Sequence, residues 1–556
     1  MADIGELRRS AAAHMFGPGA IVDFRDDEAL ISGVAAGLEE WDRSFPPAGL
    51  ANPQQTREVR LERLLGVDGF RLPPVKVKDT DRGRLVAVRF PRWQQCPECD
   101  VIAPFDNNIW GQEIGRAGLY CTQCSRQRRK VWAVPVRFVM ACPRGHLDDF
   151  PWHQWVGHRK DCQNLSGPLR IKMKAAGLAG LYVHCDKCKE SSNLDGIFSE
   201  RTWTNRRCNG RRPWLPSADE QGCPAEPRAV QRGATNIYYP ITASALSIPP
   251  WSDGLVEALG VFWAPIRNMP NSDHRRDFIL HSSGALSETL NILGITADEL
   301  VDRIEARLQL LESEDSSDLR VAEYRHLLVG SDTEGDFECR LESLPDALRP
   351  WFGSLSRVVR LREVRALTGF TRIRPQGDAD ATVAALSVNR LRWLPAVEVR
   401  GEGVFLSLNM DALRSWEKNE FVTQRGRVLA ERSGGGQQPA PSTRYILVHT
   451  LAHAVMRQLT LDCGYSSASL RERLYVSDGG TEMAGFLVYT ASTDADGTLG
   501  GLERQGRSNR MASIVRSAIK AIEWCSSDPL CIEDVMAASD TFSGASCHAL
   551  SLIHIS

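Results

Sequence analysis

The sequence predicts an α+β protein of several domains, with cysteine-rich modules in its N-terminal half and a mixed α/β domain at its C-terminal end. Three observations lead to this prediction. The chain has 556 residues, which suffices for about three or four domains of ordinary size. Ten of its 15 cysteines lie between residues 91 and 230. Outside that stretch, helical periodicity and short strand-like runs alternate, as they do in a mixed fold.

The sequence pattern divides the chain into four main segments. A β-like run at 236–251 contains Pro-Pro near its end and separates the cysteine-rich stretch from the middle of the chain. The run SGGGQQPAPS has the composition of a flexible linker. We therefore expect an N-terminal α/β region at 1–90, a cysteine-rich region at 91–235, a mixed β and helical middle region at 236–432 and a C-terminal domain at 443–549.

Composition and charge argue against several classes of protein. The formal net charge is −2, so any contact with nucleic acid has to come from local basic patches. The first residues lack the apolar core of a signal peptide, and no run approaches the ~18 apolar residues of a membrane helix. We therefore expect a cytoplasmic protein without membrane association, in which the cysteines stay reduced.

Two Cys-x-x-Cys pairs form the most specific motif. Cys96 and Cys99 are followed after 21 residues by Cys121 and Cys124. Each pair bends the backbone so that two thiolates face one ion, and two such pairs complete a tetrahedral zinc site. The alternative is a redox dithiol pair, which requires a thioredoxin-like βαβ context that the sequence lacks. The region 91–235 is therefore predicted to contain zinc-ribbon-like modules.

Two further ligand sets are expected in the same region. One consists of a tight pair and two more widely spaced cysteines, and its alternative is one pair beside two buried free thiols. The other consists of Cys-x3-His and His-x3-Cys pairs, and its alternative is a packed cysteine with surface histidines. The first of these sets is Cys185, Cys188, Cys208 and Cys223, and the other is Cys142, His146, His158 and Cys162.

The segment GHLDDFPW offers a different interpretation of the middle of this region. His146, Asp148 and Asp149 could form the catalytic metal centre of a hydrolase or nuclease. Such chemistry needs an open coordination position and a general base, and no base is identifiable in the sequence. A metal-dependent hydrolase is therefore kept as an alternative to structural zinc sites.

The remaining cysteines indicate a fourth site near the C-terminal end. Four protein ligands close the coordination sphere of zinc and leave no position for a substrate. We therefore expect two to four structural Zn²⁺ ions and no catalysis at them. The C-terminal set is Cys463, Cys525, Cys531 and Cys547, with His548 adjacent to the last of them.

A helix is predicted over the run TRYILVHTLAHAVMRQLTL, with Gly464 as its end. It carries His449 and His453 at the i, i+4 spacing of zinc peptidase helices. Thr450 replaces the general-base Glu of those enzymes, so we interpret the two histidines as structural or as supporting a metal site from outside. The chain also lacks GxxxxGK[ST], so no phosphate-binding loop of an ATPase is expected.

Two basic patches lie close to the predicted zinc ligands. Arginine interleaved with tryptophan suits phosphate contact combined with base stacking, so we expect these patches to bind nucleic acid. The alternative is a set of solvated arginines that cover a small zinc module. The first patch is Arg126, Arg128, Arg129 and Lys130, and the second patch is Arg206, Arg207, Arg211 and Arg212.

Several long motifs resemble those of the DrmB family, a component of the bacterial anti-phage system DISARM. They are RRSAAAHMFGPGAIVDF near the start, ACPRGHLDDFPW in the middle, and HTLAHAVMRQLTLDCGYSSASLRERLY, YTASTDADGTLGGL and CSSDPLC near the end. The segment 443–549 resembles the MrfA-like zinc-binding domain, which is also found at the end of some superfamily 2 DNA helicases.

This resemblance implies a non-catalytic, zinc-stabilised partner of a DrmA-like superfamily 2 helicase that engages DNA, alongside other DISARM components. The alternatives are the metal-dependent hydrolase or nuclease and a pure protein scaffold. The resemblance also places the family's C-terminal ligands at the four cysteines named above and its last cysteine at Leu550. Because LSLIHIS resembles a translated sequencing adapter, we expect 550–556 to be a non-native tail.

Overall fold

The computed structural model groups the chain into two compact units, which are described separately. The first unit comprises Met1–Pro47, Leu72–Thr242 and Leu367–Leu391, and the second unit comprises Ala48–Arg71, Ala243–Ala366 and Arg392–Ser556. The residues that the structure describes are 4–26, 28–44, 55–74, 84–216, 222–252, 254–313, 318–331, 335–378, 381–432, 441–465, 469–490 and 501–523. The predicted domain boundaries stay a prediction, because compactness alone does not define a domain.

The regular structure of the first unit consists mostly of short strands, and the longest strands lie mainly in the second unit. In chain order the strands are β1 (Ile21–Asp26), β2 (Ala29–Ala35), β3 (Gln55–Thr56), β4 (Phe70–Arg71), β5 (Ala87–Arg89), β6 (Trp93–Gln95), β7 (Val101–Pro104), β8 (Trp110–Gln112), β9 (Leu119–Cys121), β10 (Val134–Pro135), β11 (Phe138–Ala141), β12 (Leu147–Asp149), β13 (Leu169–Met173), β14 (Leu181–His184), β15 (Ser191–Asn193), β16 (Arg228–Gln231), β17 (Tyr239–Leu246), β18 (Glu338–Glu342), β19 (Phe352–Thr371), β20 (Leu394–Leu408), β21 (Leu470–Ser477) and β22 (Met483–Thr490).

Helices are interspersed with these strands, which confirms the predicted α+β class. They are α1 (Arg9–Ala12), α2 (Leu38–Ser44), α3 (Val59–Leu65), α4 (Trp152–Val156), α5 (Glu200–Trp203), α6 (Leu255–Leu259), α7 (Trp263–Arg267), α8 (Ser272–His281), α9 (Ser287–Leu293), α10 (Ala297–Ser313), α11 (Leu319–Val329), α12 (Met410–Glu417), α13 (Glu420–Arg432), α14 (Thr443–Cys463) and α15 (Ser508–Ala521). Among the described residues, no helix has both the length and the apolar character needed to cross a bilayer.

Antiparallel sheets build the first unit. A six-stranded sheet has the order β10-β6-β7-β13-β14-β15, and two three-stranded sheets have the orders β1-β2-β5 and β12-β11-β16. Strands β8 and β9 form a separate hairpin. Aromatic side chains fill the core beside the large sheet, where Phe150, Trp152 and Trp203 are buried together. The tight connections β6–β7, β11–β12 and β14–β15 each carry a pair of the predicted metal ligands.

A buried arginine joins three backbone segments of the first unit. Arg372 is completely buried, and its guanidinium donates to the carbonyl oxygens of Gly145, Ile237 and Gly19. Its Cζ lies 5.2 Å from the ring centroid of the buried Trp214. Burial lowers the pKa of Arg372 to about 9, which leaves the side chain protonated at neutral pH. The three carbonyl acceptors supply the hydrogen bonds that a buried charge requires.

One large sheet forms the frame of the second unit. Its order is β17-β19-β20-β22-β21, and β4 pairs in parallel with β20. Helix α14 packs against β21 and β22, and α15 packs against α14. Helix α14 begins after Ser442, whose hydroxyl accepts a hydrogen bond from the Tyr445 N–H, and ends at Gly464, which adopts a left-handed φ of 72°. This confirms the predicted end of the helix, since glycine tolerates that conformation at no steric cost.

A fully buried ion pair joins strand β21 to helix α11 in the same unit. Arg473 donates from Nε and Nη2 to the two carboxylate oxygens of Glu323 at 2.6 and 2.8 Å. The Tyr475 hydroxyl and the Leu246 N–H also donate to this carboxylate, at 3.1 and 2.9 Å. Arg473 makes a further hydrogen bond of 2.8 Å to the Ser244 hydroxyl. The pair is therefore bidentate and well satisfied, as a buried ion pair must be.

Candidate metal centres

Cysteine, histidine and acidic side chains converge in four places among the described residues. In each group, the ligand atoms lie within 4.8 Å of one another. The first cluster is Cys96, Cys99, Cys121 and Cys124. The second cluster is Cys142, His146, Cys208 and Cys223. The third cluster is His158, Cys162, Cys185 and Cys188. The histidine–glutamate cluster is His449, His453 and Glu472.

The cysteine clusters are built on tight turns between strands. One Cys-x-x-Cys pair lies between β6 and β7, and another lies between β14 and β15. In each turn the chain folds back on itself: the Asp100 N–H donates to the Cys96 carbonyl at 3.0 Å, and the Lys189 N–H donates to the Cys185 carbonyl at 2.9 Å. Asp100 and Lys189 adopt left-handed φ angles of 57° and 67°. This local geometry directs both thiols of each pair to one side.

The first cluster has the dimensions of a tetrahedral thiolate site. The Cys96 and Cys124 sulfurs lie 3.9 Å apart, and the Cys99 and Cys121 sulfurs also lie 3.9 Å apart. Four sulfurs bound to zinc at about 2.3 Å are separated by about 3.8 Å. Cys96 and Cys121 are completely buried. The donor set and its spacing therefore fit Zn²⁺.

The second cluster draws two ligands from one hairpin. Cys142 follows β11 and His146 precedes β12, and Cys142 Sγ lies 3.3 Å from His146 Nδ1. Gly145 between them has a φ of 85°, and a Cβ there would lie 2.4 Å from Ala384 Cβ. Both observations explain why this turn requires glycine. Three thiols and one imidazole form a common structural zinc donor set.

The third cluster combines one imidazole with three thiols. His158 Nδ1 lies 3.4 Å from Cys188 Sγ, and Cys162 Sγ lies 4.0 Å from Cys185 Sγ. These separations are close to those of the first cluster, so this donor set also fits a tetrahedral zinc ion.

A second histidine orients the imidazole of the third cluster. His158 Nε2 lies 2.9 Å from His153 Nδ1, and His153 Nε2 lies 3.1 Å from the Gly167 carbonyl oxygen. Since the carbonyl can only accept, His153 Nε2 carries a proton, and His153 Nδ1 accepts from His158 Nε2. His158 Nδ1 is then free to bind metal. Motif spacing did not point to His153, whose only sequence signal is its place five residues before His158.

The structure corrects the predicted grouping of the later ligands. The predicted partners are exchanged, because strand pairing and not sequence order decides which segments meet. β11 pairs with β16, with Ala141 opposite Arg228, and this brings the segment before β16 to the β11–β12 turn. Cys208 and Cys223 lie with Cys142 and His146, whereas Cys185 and Cys188 lie with His158 and Cys162.

One thiol in each cysteine cluster has a lowered pKa. Burial raises the pKa of Cys99, but hydrogen bonds from the Val101 N–H and the neighbouring thiols outweigh burial and lower it. A hydrogen bond from Cys208 lowers the pKa of Cys142 against the effect of burial. Burial also opposes ionisation of Cys188, yet backbone donors and the His158 ring lower its pKa to about 6. Zinc binds thiolates, and a lowered pKa favours the thiolate form of each of these three cysteines.

The fourth predicted set falls mostly outside the described residues. Cys463 is the last residue of α14, and burial raises its pKa. The rest of this set and the suspected tail at 550–556 stay predictions. The ligands that lie outside the described residues are Cys525, Cys531 and Cys547, together with His548.

The first basic patch forms a turn after the first cluster. Arg129 and Lys130 are paired with glutamates at 2.6 and 4.0 Å. Arg126 and Arg128 are exposed, and neither has a carboxylate partner in the part of the chain that the structure describes. Exposed ion pairs of this kind contribute little to stability and are readily exchanged for other partners.

The second basic patch surrounds the second cluster. Arg206 and Arg207 are exposed and form no ion pair with any described residue. Arg211 lies 3.4 Å from an Asp148 oxygen, and Arg212 is half-buried.

The tryptophans of this patch do not present open ring faces. Trp203 and Trp214 are 1% and 2% exposed, and both belong to the core of the first unit. The predicted base stacking on these two rings is therefore wrong. Trp203 instead supports the guanidinium of Arg206, whose Cζ lies 5.1 Å from its ring centroid.

A cleft of about 350 Å³ opens beside the second cluster. Arg206 and Arg207 line it together with Asp148 and Asp149. Burial and the charge of Asp148 raise the pKa of Asp149 to about 6. The Asp149 carboxylate accepts a hydrogen bond of 2.8 Å from the Arg92 N–H. The cleft is thus lined by both basic and acidic side chains.

Cysteine and histidine clusters on tight turns between strands provide the donor sets of zinc-ribbon-like modules. The chain is 29% identical over 543 residues to the DISARM protein DrmB of Bacillus paralicheniformis, and the match covers 90% of this chain and 91% of the relative. Residues 451–549 match the MrfA Zn-binding domain. Residues 8–239, which contain all three cysteine clusters, match a family described as "Domain of unknown function (DUF8724)". The chain is a homologue of DrmB with a zinc-binding domain, which confirms the resemblance found in the sequence.

Proposed function

We propose that this chain is a non-catalytic, zinc-stabilised DNA-binding subunit of an anti-phage defence system, and that it acts with a DrmA-like superfamily 2 helicase. One observation carries the proposal: Arg206 and Arg207 stand exposed and without carboxylate partners among the described residues, at a cleft beside the second cluster. The similarity to a DISARM protein supports the defence context and an association with other DISARM proteins.

The backbone at Arg206 is held by a hydrogen bond, whereas the guanidinium groups of both arginines are exposed. The Arg206 N–H donates to the Trp203 carbonyl at 3.1 Å, and the segment then reaches Cys208, a ligand of the second cluster. A guanidinium without a carboxylate partner keeps its forked donors for two phosphate oxygens. Pairing with phosphate also releases counterions, which favours binding at low salt. This arrangement supports DNA contact through the phosphate backbone.

The metal has an architectural role in this proposal. Zinc bound by four protein ligands would contribute on the order of 10 kcal/mol to folding at neutral pH. The second cluster joins the β11–β12 turn to the segment that carries Arg206 and Arg207. The ligands would therefore hold the backbone segment that presents the two guanidinium groups.

Binding to single-stranded, duplex and overhang DNA over a series of salt concentrations tests the DNA contact. We expect the Arg206→Gln/Arg207→Gln variant to bind all three forms more weakly, with the slope of log affinity against log salt reduced by about 2. The matched control is Arg8→Gln/Arg390→Gln, which changes two exposed arginines of the same unit outside both patches. No binding by the wild type at low salt, alone or with the helicase, contradicts the proposal, as does an equal loss in the control.

Co-elution with a purified DrmA-like helicase tests the partnership. We expect a complex with the wild type and with the Arg206→Gln/Arg207→Gln variant, because the substitution is directed at DNA only. If the complex with the variant engages DNA as well as the complex with the wild type does, the result favours the pure scaffold. Absence of any complex contradicts the proposed partnership.

The metal-dependent hydrolase has one observation in its favour. Asp149 lies in the cleft with a pKa of about 6, which is in the range of a general acid or base. However, His146 faces the second cluster, and Asp148 accepts a hydrogen bond of 2.7 Å from Asn209. Nuclease activity of the wild type with Mg²⁺, Mn²⁺ or Zn²⁺ that is lost in Asp148→Ala would establish the hydrolase and contradict the non-catalytic role.

A further inference from the structure

The histidine–glutamate cluster brings three donor atoms to one point in the second unit. His449 and His453 lie one turn apart on α14, and Glu472 lies on the adjacent strand β21. His449 Nε2 is 3.0 Å and His453 Nε2 is 3.3 Å from the same carboxylate oxygen, Oε1 of Glu472. The two imidazole rings meet edge to face, with centroids 4.4 Å apart. The Nε2 atom of each histidine and Oε1 of Glu472 therefore lie close enough together to bind one ion.

The two histidines of the cluster are buried, and the Glu472 side chain beside them is 22% exposed. His449 and His453 are 2% and 1% exposed, and within the described ranges Glu472 forms ion pairs with these two residues alone. If both imidazoles are neutral, a half-buried carboxylate packs against two buried rings with no cation to compensate its charge, which is costly. Glu472 Oε2 and both Nδ1 atoms also lack a hydrogen-bond partner among the described residues.

We infer that His449, His453 and Glu472 bind one divalent transition-metal ion, with Zn²⁺ as the best fit. Two imidazole nitrogens and one carboxylate oxygen suit zinc and also Fe²⁺ or Mn²⁺, whereas Cu⁺ prefers sulfur ligands. Ligands held at about 2.0 Å in a tetrahedron lie about 3.3 Å apart, close to the two observed separations. The ion supplies the positive charge that the half-buried carboxylate of Glu472 lacks.

This site differs in chemistry from the three cysteine clusters. It has three protein ligands, so a fourth position stays open for water or another ligand. His453 and Glu472 fall inside the segment that matches the MrfA Zn-binding domain, and His449 lies just before it. Thr450 stands where zinc peptidases carry their general base, so the ion is not that of a peptidase. The inference does not depend on the proposed DNA contact.

Metal analysis of the full-length protein tests the site. We expect Glu472→Gln, which keeps the shape of the side chain but removes its charge, to bind one metal equivalent fewer than the wild type. The matched control is His281→Gln, which changes an exposed histidine of the same unit and should leave the metal content unchanged. Equal metal content in the wild type and Glu472→Gln overturns the inference and favours protonated imidazoles as the compensating charge.

Cobalt substitution separates this site from the cysteine clusters. Cobalt bound by nitrogen and oxygen lacks the thiolate charge-transfer absorption of cobalt bound by sulfur, so the difference spectrum between wild type and Glu472→Gln should lack that absorption. If Glu472→Gln does not fold, Glu472→Asp replaces it. The shorter side chain of Asp should speed release of this ion to a chelator at least tenfold. A change confined to the thiolate absorption, or an unchanged release rate, overturns the inference.

Discussion

Nε of Arg372 donates a hydrogen bond of 2.8 Å to the carbonyl oxygen of Gly145, in the turn that carries Cys142 and His146. A buried guanidinium thus holds the backbone of a candidate metal site. The remaining donors of Arg372 bind the carbonyls of Gly19 and Ile237, so one side chain connects the turn to two distant segments. The position of the second cluster therefore depends on a residue 226 positions away from His146 in the sequence.

Arg372→Met is expected to destabilise the first unit and to loosen the second cluster. Three buried carbonyls lose their donor, which corresponds to on the order of 3 kcal/mol or more. Urea denaturation should show an earlier transition, and zinc should pass to a chelator faster than from the wild type. Arg390→Met changes an exposed arginine of the same unit and serves as the control. Similar stability and similar zinc release in the two variants would argue against this role.

The corrected ligand grouping predicts the metal content of a double variant. Cys185 and Cys223 belong to different clusters in the structure, so Cys185→Ser/Cys223→Ser should lose two zinc equivalents. If both residues held the same ion, the variant would lose one. Cys339→Ala removes a buried cysteine outside all four clusters and should lose none. Quantitative metal analysis of the purified proteins distinguishes these results.

Asp149→Asn is expected to stabilise the protein at neutral pH. Burial and the Asp148 charge raise the folded-state pKa of Asp149 from 3.8 to about 6. The fold is therefore favoured while this carboxyl is protonated, and that contribution is lost as the pH rises from 3.8 through 6. The gain from Asn should reach about 1–2 kcal/mol above pH 7, since partial exposure screens the charge.

Urea unfolding at pH 5 and pH 7.5, with excess zinc present, checks this prediction. The advantage of Asp149→Asn over the wild type should be smaller at pH 5. Asp161→Asn, which changes an exposed aspartate, should show no such difference. A larger stability gain from Asp149→Asn at pH 5 than at pH 7.5 would contradict the predicted pH dependence.

Glu323→Gln is expected to destabilise the second unit strongly. Arg473 would lose its bidentate partner and keep only the more distant carboxylate of Glu363, at 3.6 Å. Breaking a buried ion pair typically costs about 3–5 kcal/mol. The transition midpoint in urea should fall accordingly. Asp346→Asn breaks the exposed pair between Asp346 and Arg349 and should change stability by less than about 1 kcal/mol. Comparable effects of the two substitutions would contradict the importance of the buried pair.

Local sequence patterns predicted the features that depend on residues close together in the chain. The α+β class and the end of helix α14 at Gly464 followed from periodicity and a glycine signal, and the structure confirms both. The first cluster was assembled correctly because its two Cys-x-x-Cys pairs are close in the chain. Burial of Trp203 and Trp214 could not be predicted in this way, because an Arg-rich segment looks exposed until its neighbours in space are known.

The sequence by itself determined which residue types can bind metal and which of them share a turn, because a Cys-x-x-Cys or Cys-x3-His spacing fixes two ligands through the local backbone. Only the tertiary structure decided how these pairs combine: the pairing of β11 with β16 joins Cys142 and His146 to ligands from a distant segment. It also placed Glu472 beside His449 and His453, across two elements that the sequence does not link. Strand pairing and helix packing bring together residues that are far apart in the chain. The spacing of residues within a motif therefore carries no information about them.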